Sequence, residues 1–246
     1  MNYLKRGFLF VYQWLLFLPI FFILTVITAI VVMLMSPLFG NKIWGYYPPK
    51  WWSKLTCWLA LCRVQRIAKG KLNSKQSYIF VANHQGAFDI FLVYGFLGQN
   101  IKWVQKQSLR KLPFVGFASE VAGHVFVDNR SNATRVRTIS QAKTRIKNGV
   151  SMMMFPEGSR TETGKMSRFK RGAFQLAIDM KLPIVPLTIN GAYDVFPIHR
   201  KLIYPGKLEL IIHEPIQTAH LCQTDVPQLM EQTRDIIYSG LWDKYR

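Results

Sequence analysis

The chain has 246 residues, half of them apolar, and its 32 Lys and Arg against 13 Asp and Glu give a net charge of +19. This apolar content excludes an intrinsically disordered chain, which combines low hydrophobicity with high charge. Three cysteines are too few for a disulfide framework, and Cys57 and Cys62 do not have the CxxC spacing of zinc or redox sites. We therefore expect a reducing, cytoplasm-facing environment.

The positive charge lies mainly in the first three quarters of the chain. Residues 1–88 contain ten basic residues and no acidic one, and residues 89–181 contain 16 basic and 6 acidic residues. Such a field attracts nucleic acid, anionic lipid or a phosphate-bearing substrate, although an ordinary basic surface is the alternative. No nucleic-acid-binding motif is present in the sequence. We therefore predict membrane lipids as partners and no nucleic acid.

The first predicted element is an uncharged apolar segment, Phe8 to Met35. As one helix it would reach roughly 40 Å, enough to cross a bilayer core of about 30 Å with tilt. A bend at Pro19 would instead give a hairpin that enters one leaflet and returns. A cleaved signal peptide would have a shorter apolar core, and a buried core helix is the soluble alternative. We predict a retained membrane helix or helical hairpin.

Aromatic and basic residues follow this segment, as in an interfacial belt where rings lie at headgroup depth and cations meet anionic lipid. They are Lys42, Trp44, Tyr46, Tyr47, Lys50, Trp51, Trp52, Lys54 and Trp58. Lys5 and Arg6 precede the apolar segment, so both of its flanks are positive. We predict a membrane-anchoring segment over residues 1–54 and a second domain over residues 55–246.

Short apolar runs alternating with helical stretches make up the rest of the chain. The predicted strands are Tyr78–Ala82, Val125–Val127, Val150–Phe155, Ile184–Ile189 and Lys207–Ile212, and the predicted helices are Asn132–Lys147, Gly172–Met180 and Val226–Trp242. Strands that alternate with helices form a largely parallel sheet. The predicted fold class is α/β, a mostly parallel sheet flanked by helices, with the N-terminal apolar membrane helix or hairpin.

Two polar clusters directly follow predicted strands, where open α/β sheets place their ligand sites. The first is Asn83–Asp89, with the sequence NHQGAFD, and the second is Phe155–Arg160, with the sequence FPEGSR. In the first cluster, a carboxylate at Asp89 would meet Nδ1 of His84 and leave Nε2 free to take a proton. The alternative is a structural loop histidine with Asp89 as a helix cap.

The second cluster has the residue types that grip an anion. Gly158 permits unusual backbone angles and close ligand approach, and Arg160 has a planar fork suited to phosphate. Glu157 is a candidate acceptor for a hydrogen bond from a substrate hydroxyl. Taken alone, the cluster would equally fit a turn with a surface salt bridge. The sequence has no G-x-S-x-G motif, and no spacing of residues in it suggests a metal site.

Together these clusters resemble the H-x4-D and F-P-E-G-[ST]-R motifs of the lysophosphatidic acid acyltransferase family. Two more blocks, Val104–Asp128 and Leu182–Gly191, resemble the second and fourth blocks of that family, so the resemblance spans roughly residues 70–191. The family usually has Arg directly after the Asp of its second block, whereas Asn129 stands there in this chain and Arg130 follows. We therefore leave Arg130 out of the predicted site.

The resemblance implies acyl transfer without a covalent acyl-enzyme. His84, oriented by Asp89, would deprotonate the free hydroxyl of 1-acylglycerol 3-phosphate, which then attacks the thioester of acyl-CoA or acyl carrier protein. Lys106 and Arg160 match positions that hold the phosphate, and Glu157 and Gly158 would shape the acceptor pocket. No cofactor or metal is implied. The alternatives are another lysophospholipid or a lyso-aminolipid as acceptor, or an inactive membrane lipid-binding protein.

Two further expectations concern the surroundings of the site. Apolar residues at Leu112, Phe114 and Phe117 are candidates for an acyl channel, with ordinary core packing as the alternative. We expect the protein at a membrane, with the catalytic domain on the cytoplasmic face of a bacterial inner membrane.

Overall fold

A seven-stranded sheet forms the centre of the computed structural model, which describes residues 3–127, 140–146 and 148–246. The strands are β1 (Arg63–Ala68), β2 (Ile79–Ala82), β3 (Ile101–Lys106), β4 (Val125–Val127), β5 (Ser151–Met154), β6 (Ile184–Asn190) and β7 (Lys207–Ile212). Their spatial order is β1-β7-β6-β2-β5-β3-β4. Neighbouring strands are parallel except β6 and β7, so the prediction of a mostly parallel sheet is confirmed.

Strands β1 and β3 were not predicted, because neither is an apolar run. Strand β1 reads RVQRIA and lies at an edge of the sheet with alternate residues exposed. Strand β3 reads IKWVQK, and its Lys102 and Gln105 interrupt the apolar pattern. The five predicted strands are all present, within a residue or two of their predicted bounds.

The described helices are α1 (Tyr3–Tyr12), α2 (Leu18–Phe39), α3 (Tyr47–Leu59), α4 (Phe88–Phe96), α5 (Val115–Val121), α6 (residues 140–145), α7 (Gly172–Asp179), α8 (Ala192–Val195) and α9 (Val226–Ser239). A π-helical turn, Gln13–Phe17, joins α1 to α2, and short 3₁₀ helices cover Gln107–Lys111, Gln223–Asp225 and Asp243–Tyr245. Most of the predicted helix Asn132–Lys147 lies outside the described residues, and the part that is described, α6, is helical.

The sheet buries apolar side chains on both faces, because successive residues of a strand point to opposite sides. In β2, Phe80 and Ala82 pack in one core with residues of α3 and α4. Ile79 and Val81 pack in a second core with residues of α6, α7 and α9. All four residues of β2 are fully buried, which places this strand at the centre of a three-layer α/β domain.

The N-terminal apolar segment is one long helical rod that does not turn back at Pro19. Pro19 lies just after the π-helical turn Gln13–Phe17, and the rod continues through it from Arg6 to Phe39. Of the two predicted forms, the hairpin with a bend at Pro19 is therefore wrong. The chain reverses after Gly40 instead, and α3 then runs beside α2. By length and composition, Arg6–Phe39 is long and apolar enough to cross a membrane.

Helix α2 lies against the globular domain. Its Ala29 and Val32 pack with Ala118 and Ala122 at α5, and Nε1 of Trp52 in α3 donates to Oγ1 of Thr25 at 3.0 Å. Further towards the N-terminus, Phe21 packs on Phe91, Nε2 of Gln13 donates to the carbonyl of Ile203, and the Tyr12 hydroxyl donates to the Leu59 carbonyl.

Large apolar side chains on the rod and on α3 are exposed on the side away from the domain. They are Phe8, Trp14, Leu15, Phe22, Ile23, Ile27, Leu34, Leu38, Phe39, Trp51 and Trp58.

The boundary predicted after Lys54 falls inside α3, which is continuous from Tyr47 to Leu59. Its Cys57 belongs to the core that includes β2 and α4. Residues on both sides of the predicted boundary thus belong to one helix. The division into residues 1–54 and 55–246 stays a prediction.

Candidate active site

The carboxyl ends of β2 and β5 lie side by side at the centre of the sheet. Val81 pairs with Met154 in the parallel register, so His84 and Glu157, each three residues further on, emerge at the same edge. Asn83 fixes the end of β2 to β6, since its side-chain amide exchanges two hydrogen bonds with the backbone of Ile189 at 2.8 and 2.9 Å. The two polar clusters of the sequence therefore meet at one place.

The side chains of His84 and Asp89 contact each other directly. Nδ1 of His84 lies 2.7 Å from Oδ2 of Asp89, which sits in the first turn of α4. The same oxygen accepts hydrogen bonds from the backbone N–H groups of Gln85 at 2.6 Å and Gly86 at 2.9 Å. The loop thus curls around the carboxylate, and this geometry is the one that the H-x4-D spacing predicts.

Burial differs sharply between the two partners. Asp89 is 0% exposed, whereas the His84 side chain is 15% exposed. With Nδ1 committed to the carboxylate, Nε2 is the nitrogen left to exchange a proton with a ligand. No described residue forms a hydrogen bond with Nε2. The arrangement therefore has the form of a general base with its orienting carboxylate.

An aromatic ring fixes the plane of the imidazole. Phe155 stacks on His84 with ring centroids 3.9 Å apart and an interplanar angle of 7°. Trp103 of β3 stacks behind Phe155 at 5.7 Å. The His84 ring is therefore held by a carboxylate at its edge and by an aromatic stack on its face.

Glu157 binds the loop that carries His84. Its Oε1 accepts the backbone N–H of His84 at 2.7 Å, and its Oε2 accepts the N–H and hydroxyl of Ser167 at 2.8 and 2.7 Å. The residue is 5% exposed, and burial raises the pKa of its carboxyl group. A surface salt bridge is therefore excluded for this residue. The suggested hydrogen bond from a substrate hydroxyl would have to share oxygens that already have partners within the chain.

The predicted phosphate-binding residues lie at the same edge of the sheet. Lys106 is the exposed last residue of β3, and the partly exposed Arg160 follows β5 in the loop that contains Glu157. The backbone N–H of Thr161 donates to the His84 carbonyl at 2.9 Å, which ties this loop to the histidine loop. Gly158 has a φ of +79°, and a Cβ there would collide with the Lys170 side chain.

Three residues of the site were not singled out from the sequence. Phe155 and Ser167 act through contacts that no local pattern reveals. Lys170 adds a cation beside Gly158, and its backbone N–H donates to the Pro156 carbonyl at 2.8 Å. The basic segment Arg168–Arg171, which begins eight residues after the second motif ends, is the sequence signal for it.

The apolar candidates near the site are on the surface. Leu112, Phe114 and Phe117 are each about half exposed, so ordinary core packing is the wrong interpretation for them. They follow β3 around α5, the helix that packs on α2. The described residues contain no group of three His, Cys, Asp or Glu that would hold a metal ion.

Comparison with known proteins shows which family the chain resembles. The family model described as Acyltransferase matches residues 63–190, which include both motifs. The chain is 31% identical over 161 residues to 1-acyl-sn-glycerol-3-phosphate acyltransferase alpha of Mus musculus, covering 65% of this chain and 56% of that protein. It is 30% identical over 165 residues to the 1-acyl-sn-glycerol-3-phosphate acyltransferase of Saccharomyces cerevisiae, covering 66% of this chain and 54% of that protein. The chain thus spans about half the length of these relatives.

A solved structure has the same fold over almost the whole chain. It is the 1-acyl-sn-glycerophosphate (LPA) acyltransferase PlsC from Thermotoga maritima, with a TM-score of 0.78 and 24% identity. The match covers 98% of this chain and 96% of that one. The α/β fold with its N-terminal helices is therefore common to both proteins.

Proposed function

Because the chain belongs to the acyltransferase family, we propose that it transfers a fatty acyl group to the free hydroxyl of 1-acylglycerol 3-phosphate and so forms phosphatidic acid. The relatives that match it carry the name of this activity. The observation that carries the proposal is the 2.7 Å contact between His84 Nδ1 and the fully buried Asp89 carboxylate. It leaves one imidazole nitrogen free for proton transfer at the edge of the sheet where ligands bind.

The reaction proceeds by direct attack on the acyl donor. Nε2 of His84 takes the proton from the acceptor hydroxyl, whose oxygen attacks the thioester carbonyl carbon. The carbon–sulfur bond then breaks, and the departing thiolate takes the proton from the His84 imidazolium. Asp89 holds the productive tautomer and stabilises the imidazolium while it exists. The products are phosphatidic acid and the free thiol of the donor.

Glu157 acts as a positioning residue. Its bond to the His84 backbone N–H and its two bonds from Ser167 link the second motif to the first. The stack on Phe155 sets the plane of the ring. These contacts keep Nε2 of His84 in a fixed position, which matters because small misplacements of reacting groups are costly.

The acceptor phosphate binds Lys106 and Arg160. Both cations are accessible at the carboxyl edge of the sheet, and the Arg160 guanidinium matches phosphate oxygens in a bidentate manner. Gly158 contributes a backbone without a Cβ beside Lys170. The acyl donor is acyl-CoA or acyl carrier protein, both anionic, which suits a chain with a net charge of +19.

The enzyme lies on one face of the membrane, with α1, α2 and α3 in the interface. Helix α2 is packed on the domain from Phe21 to Val32. If α2 crossed the bilayer perpendicular to its plane, the domain packed on it would also have to enter the bilayer. The exposed apolar face of the same helices suits in-plane burial of their outer side chains. Leu112, Phe114 and Phe117 extend this apolar surface towards the site. We place the domain on the cytoplasmic face of the inner membrane, where its basic surface meets anionic lipid.

A lysophospholipid panel tests the proposed reaction. Purified protein in detergent is incubated with labelled oleoyl-CoA and with 1-acylglycerol 3-phosphate, lysophospholipids of larger headgroup, or a lyso-aminolipid. The proposal predicts labelled phosphatidic acid as the main product. A higher kcat/KM with another acceptor would overturn the assigned substrate, and no acyl transfer to any acceptor from either acyl-CoA or acyl carrier protein would overturn the assigned reaction.

A further inference from the structure

A basic cavity of about 420 Å³ opens at the edge of the sheet opposite the candidate active site. The residues that line it are Asn41, Lys42, Lys102, Thr144, Arg145, Asn148 and Val150. Lys102 is the second residue of β3, and Asn148 and Val150 precede β5, so the cavity lies at the beginning of these strands. Lys106 at the far end of β3 is four residues or roughly 13 Å away along the strand. The cavity is therefore separate from the proposed phosphate-binding residues, Lys106 and Arg160.

The charge that lines the cavity is entirely positive. Among its described lining residues, Lys42, Lys102 and Arg145 are basic and none is acidic. Lys102 is only 2% exposed, and its ammonium group donates to the backbone carbonyl of Asn41 at 2.9 Å. A carbonyl satisfies one of three N–H donors and supplies no countercharge. A buried cation in this setting is costly unless an anion accompanies it.

Burial and the neighbouring positive charges both lower the pKa of two basic groups at or near the cavity. Burial and the charge of Arg145 lower the pKa of Lys102 to about 7. Burial, Lys102 and Arg145 together lower the pKa of His124 to about 3. An anion in the cavity would offset the repulsion between these cations. Asn41, Thr144 and Asn148 add polar side chains to bind its oxygens.

The position of the cavity identifies the source of the anion. Lys42 lies between the exposed apolar side chains of Phe39 and Ile43, directly after α2 ends. Its ammonium group donates to the Asn148 carbonyl at 2.7 Å, so this exposed side chain lies at the cavity. The interfacial placement of α2 puts Phe39 and Ile43 among acyl chains. A lipid beside them would carry its headgroup to the level of Lys42.

We propose that this cavity binds the phosphate of an anionic phospholipid from the surrounding membrane, at a site separate from the catalytic one. The lipid acyl chains would lie against Phe39 and Ile43, and the phosphate would contact Lys42, Lys102 and Arg145. The proposal rests on the membrane placement above and is independent of the acyl transfer reaction. The bound lipid fixes the end of α2 to the domain and stabilises the folded protein.

Thermal unfolding of the full chain in nonionic detergent tests the proposal, with dioleoylphosphatidylglycerol as the probe because it is neither acceptor nor product of the proposed reaction. The lipid should raise the midpoint of unfolding, and dioleoylphosphatidylcholine should raise it much less. Lys42→Gln and Arg145→Gln should each raise the apparent dissociation constant of the lipid about 5–10-fold, in line with the loss of one charge-assisted contact. These exposed residues are preferred because Lys102→Met carries a risk of misfolding.

Three controls make the outcome decisive. Lys143→Gln removes the same charge from the same helix, but Lys143 pairs with Asp179 at 3.7 Å and does not line the cavity. Arg160→Ala removes a cation at the catalytic edge. Both variants should bind the lipid like the wild type. An equal loss in Lys143→Gln, a loss in Arg160→Ala, an equal shift with inorganic phosphate at the same concentration, or no lipid-induced shift would each overturn the proposal.

Discussion

The carboxylate of Glu157 accepts the backbone N–H of His84 at 2.7 Å, so the second motif holds the loop of the first. The two residues are 73 positions apart in the sequence, and the parallel register of β2 and β5 brings them together. Because Asp89 holds the imidazole and Glu157 holds its backbone, the histidine is fixed at two independent points. Substitutions at Asp89 and Glu157 can therefore be distinguished from substitutions that affect substrate binding or membrane attachment.

Glu157→Gln should lower kcat about 10–100-fold and change the KM for the acceptor much less, because the variant loosens the loop of His84 without removing a substrate contact. Steady-state kinetics with 1-acylglycerol 3-phosphate measures both constants. Glu162→Gln, an exposed carboxylate five residues further on, is the matched control. A rise in KM at constant kcat would instead assign Glu157 to acceptor binding.

The stability of the wild type relative to Glu157→Gln should depend on pH in a defined direction. Burial raises the pKa of Glu157 above its ordinary value of 4.5, so the folded state binds the proton more tightly than the unfolded state. The contribution of this group to the free energy of unfolding is therefore fully present below that value and declines as the pH rises through the raised pKa. Urea unfolding of wild type and Glu157→Gln across this range should show wild type losing stability relative to the variant. A relative gain would contradict this assignment.

Asp89→Asn should reduce kcat by about 10³–10⁴-fold, the scale of the corresponding change in a catalytic triad, because the amide no longer favours the productive tautomer. The fold should survive, since the amide oxygen can still accept the N–H groups of Gln85 and Gly86. Circular dichroism and acyl transfer assays check the two statements. Asp179→Asn, an exposed carboxylate paired with Lys143, controls for loss of charge. Retention of more than a tenth of the wild-type kcat would argue against an orienting role.

Arg160→Ala and Lys106→Ala should each raise the KM for 1-acylglycerol 3-phosphate by about tenfold, equivalent to the loss of one charge-assisted contact. A monoacylglycerol, which lacks the phosphate, should show little change in kcat/KM in either variant. Lys75→Ala, an exposed lysine that precedes β2, is the control. Equal losses for both acceptors would show that these cations do not recognise the phosphate.

Polar substitutions on the outer face of α2 should release the protein from membranes while leaving the fold intact. Phe22, Ile23 and Ile27 are more than half exposed, so their triple replacement by Ser removes apolar contact with lipid without opening the core. Co-sedimentation with vesicles measures the effect. A triple Ser variant of exposed residues on α9, Gln228, Glu231 and Gln232, is the control. Unchanged sedimentation would contradict in-plane attachment through this face.

Truncation is a less direct test of attachment. Removing residues 1–36 also strips Ala29 and Val32 from Ala118 and Ala122, and Phe21 from Phe91. The shortened protein should therefore expose new apolar surface and aggregate or bind membranes nonspecifically. Surface substitutions avoid this because they leave the packed face of α2 in place.

The sequence predicts the fold where the local pattern and the burial agree. The largely apolar run Ile184–Ile189 is buried on both faces of the sheet, and its pattern predicts a strand. Strands β1 and β3 are not predicted from the sequence, because polar residues break their apolar pattern. Strand β1 contains two arginines, and β3 contains the buried Lys102. The geometry between His84 and Asp89 follows from a five-residue spacing. The partners of Glu157 cannot be predicted from local spacing, because only the folded chain brings Ser167 and the His84 backbone next to it.

The rod formed by the N-terminal segment illustrates the other limit of sequence reasoning. Its length and apolarity fit a single bilayer crossing or a hairpin, and a buried core helix is the soluble alternative. Small residues at Ala29, Val32 and Ser36 permit close approach of the domain, but they become informative only once their partners are known. Tertiary packing therefore decides the orientation of the helix.

Replacement of His84 by Ala, compared with His220→Ala at an exposed histidine, tests the central claim most directly. Single-turnover transfer from labelled acyl-CoA to 1-acylglycerol 3-phosphate should fall to background in His84→Ala, with an unchanged circular dichroism spectrum, and stay at the wild-type rate in His220→Ala. Wild-type rates in His84→Ala would show that another group removes the proton from the acceptor.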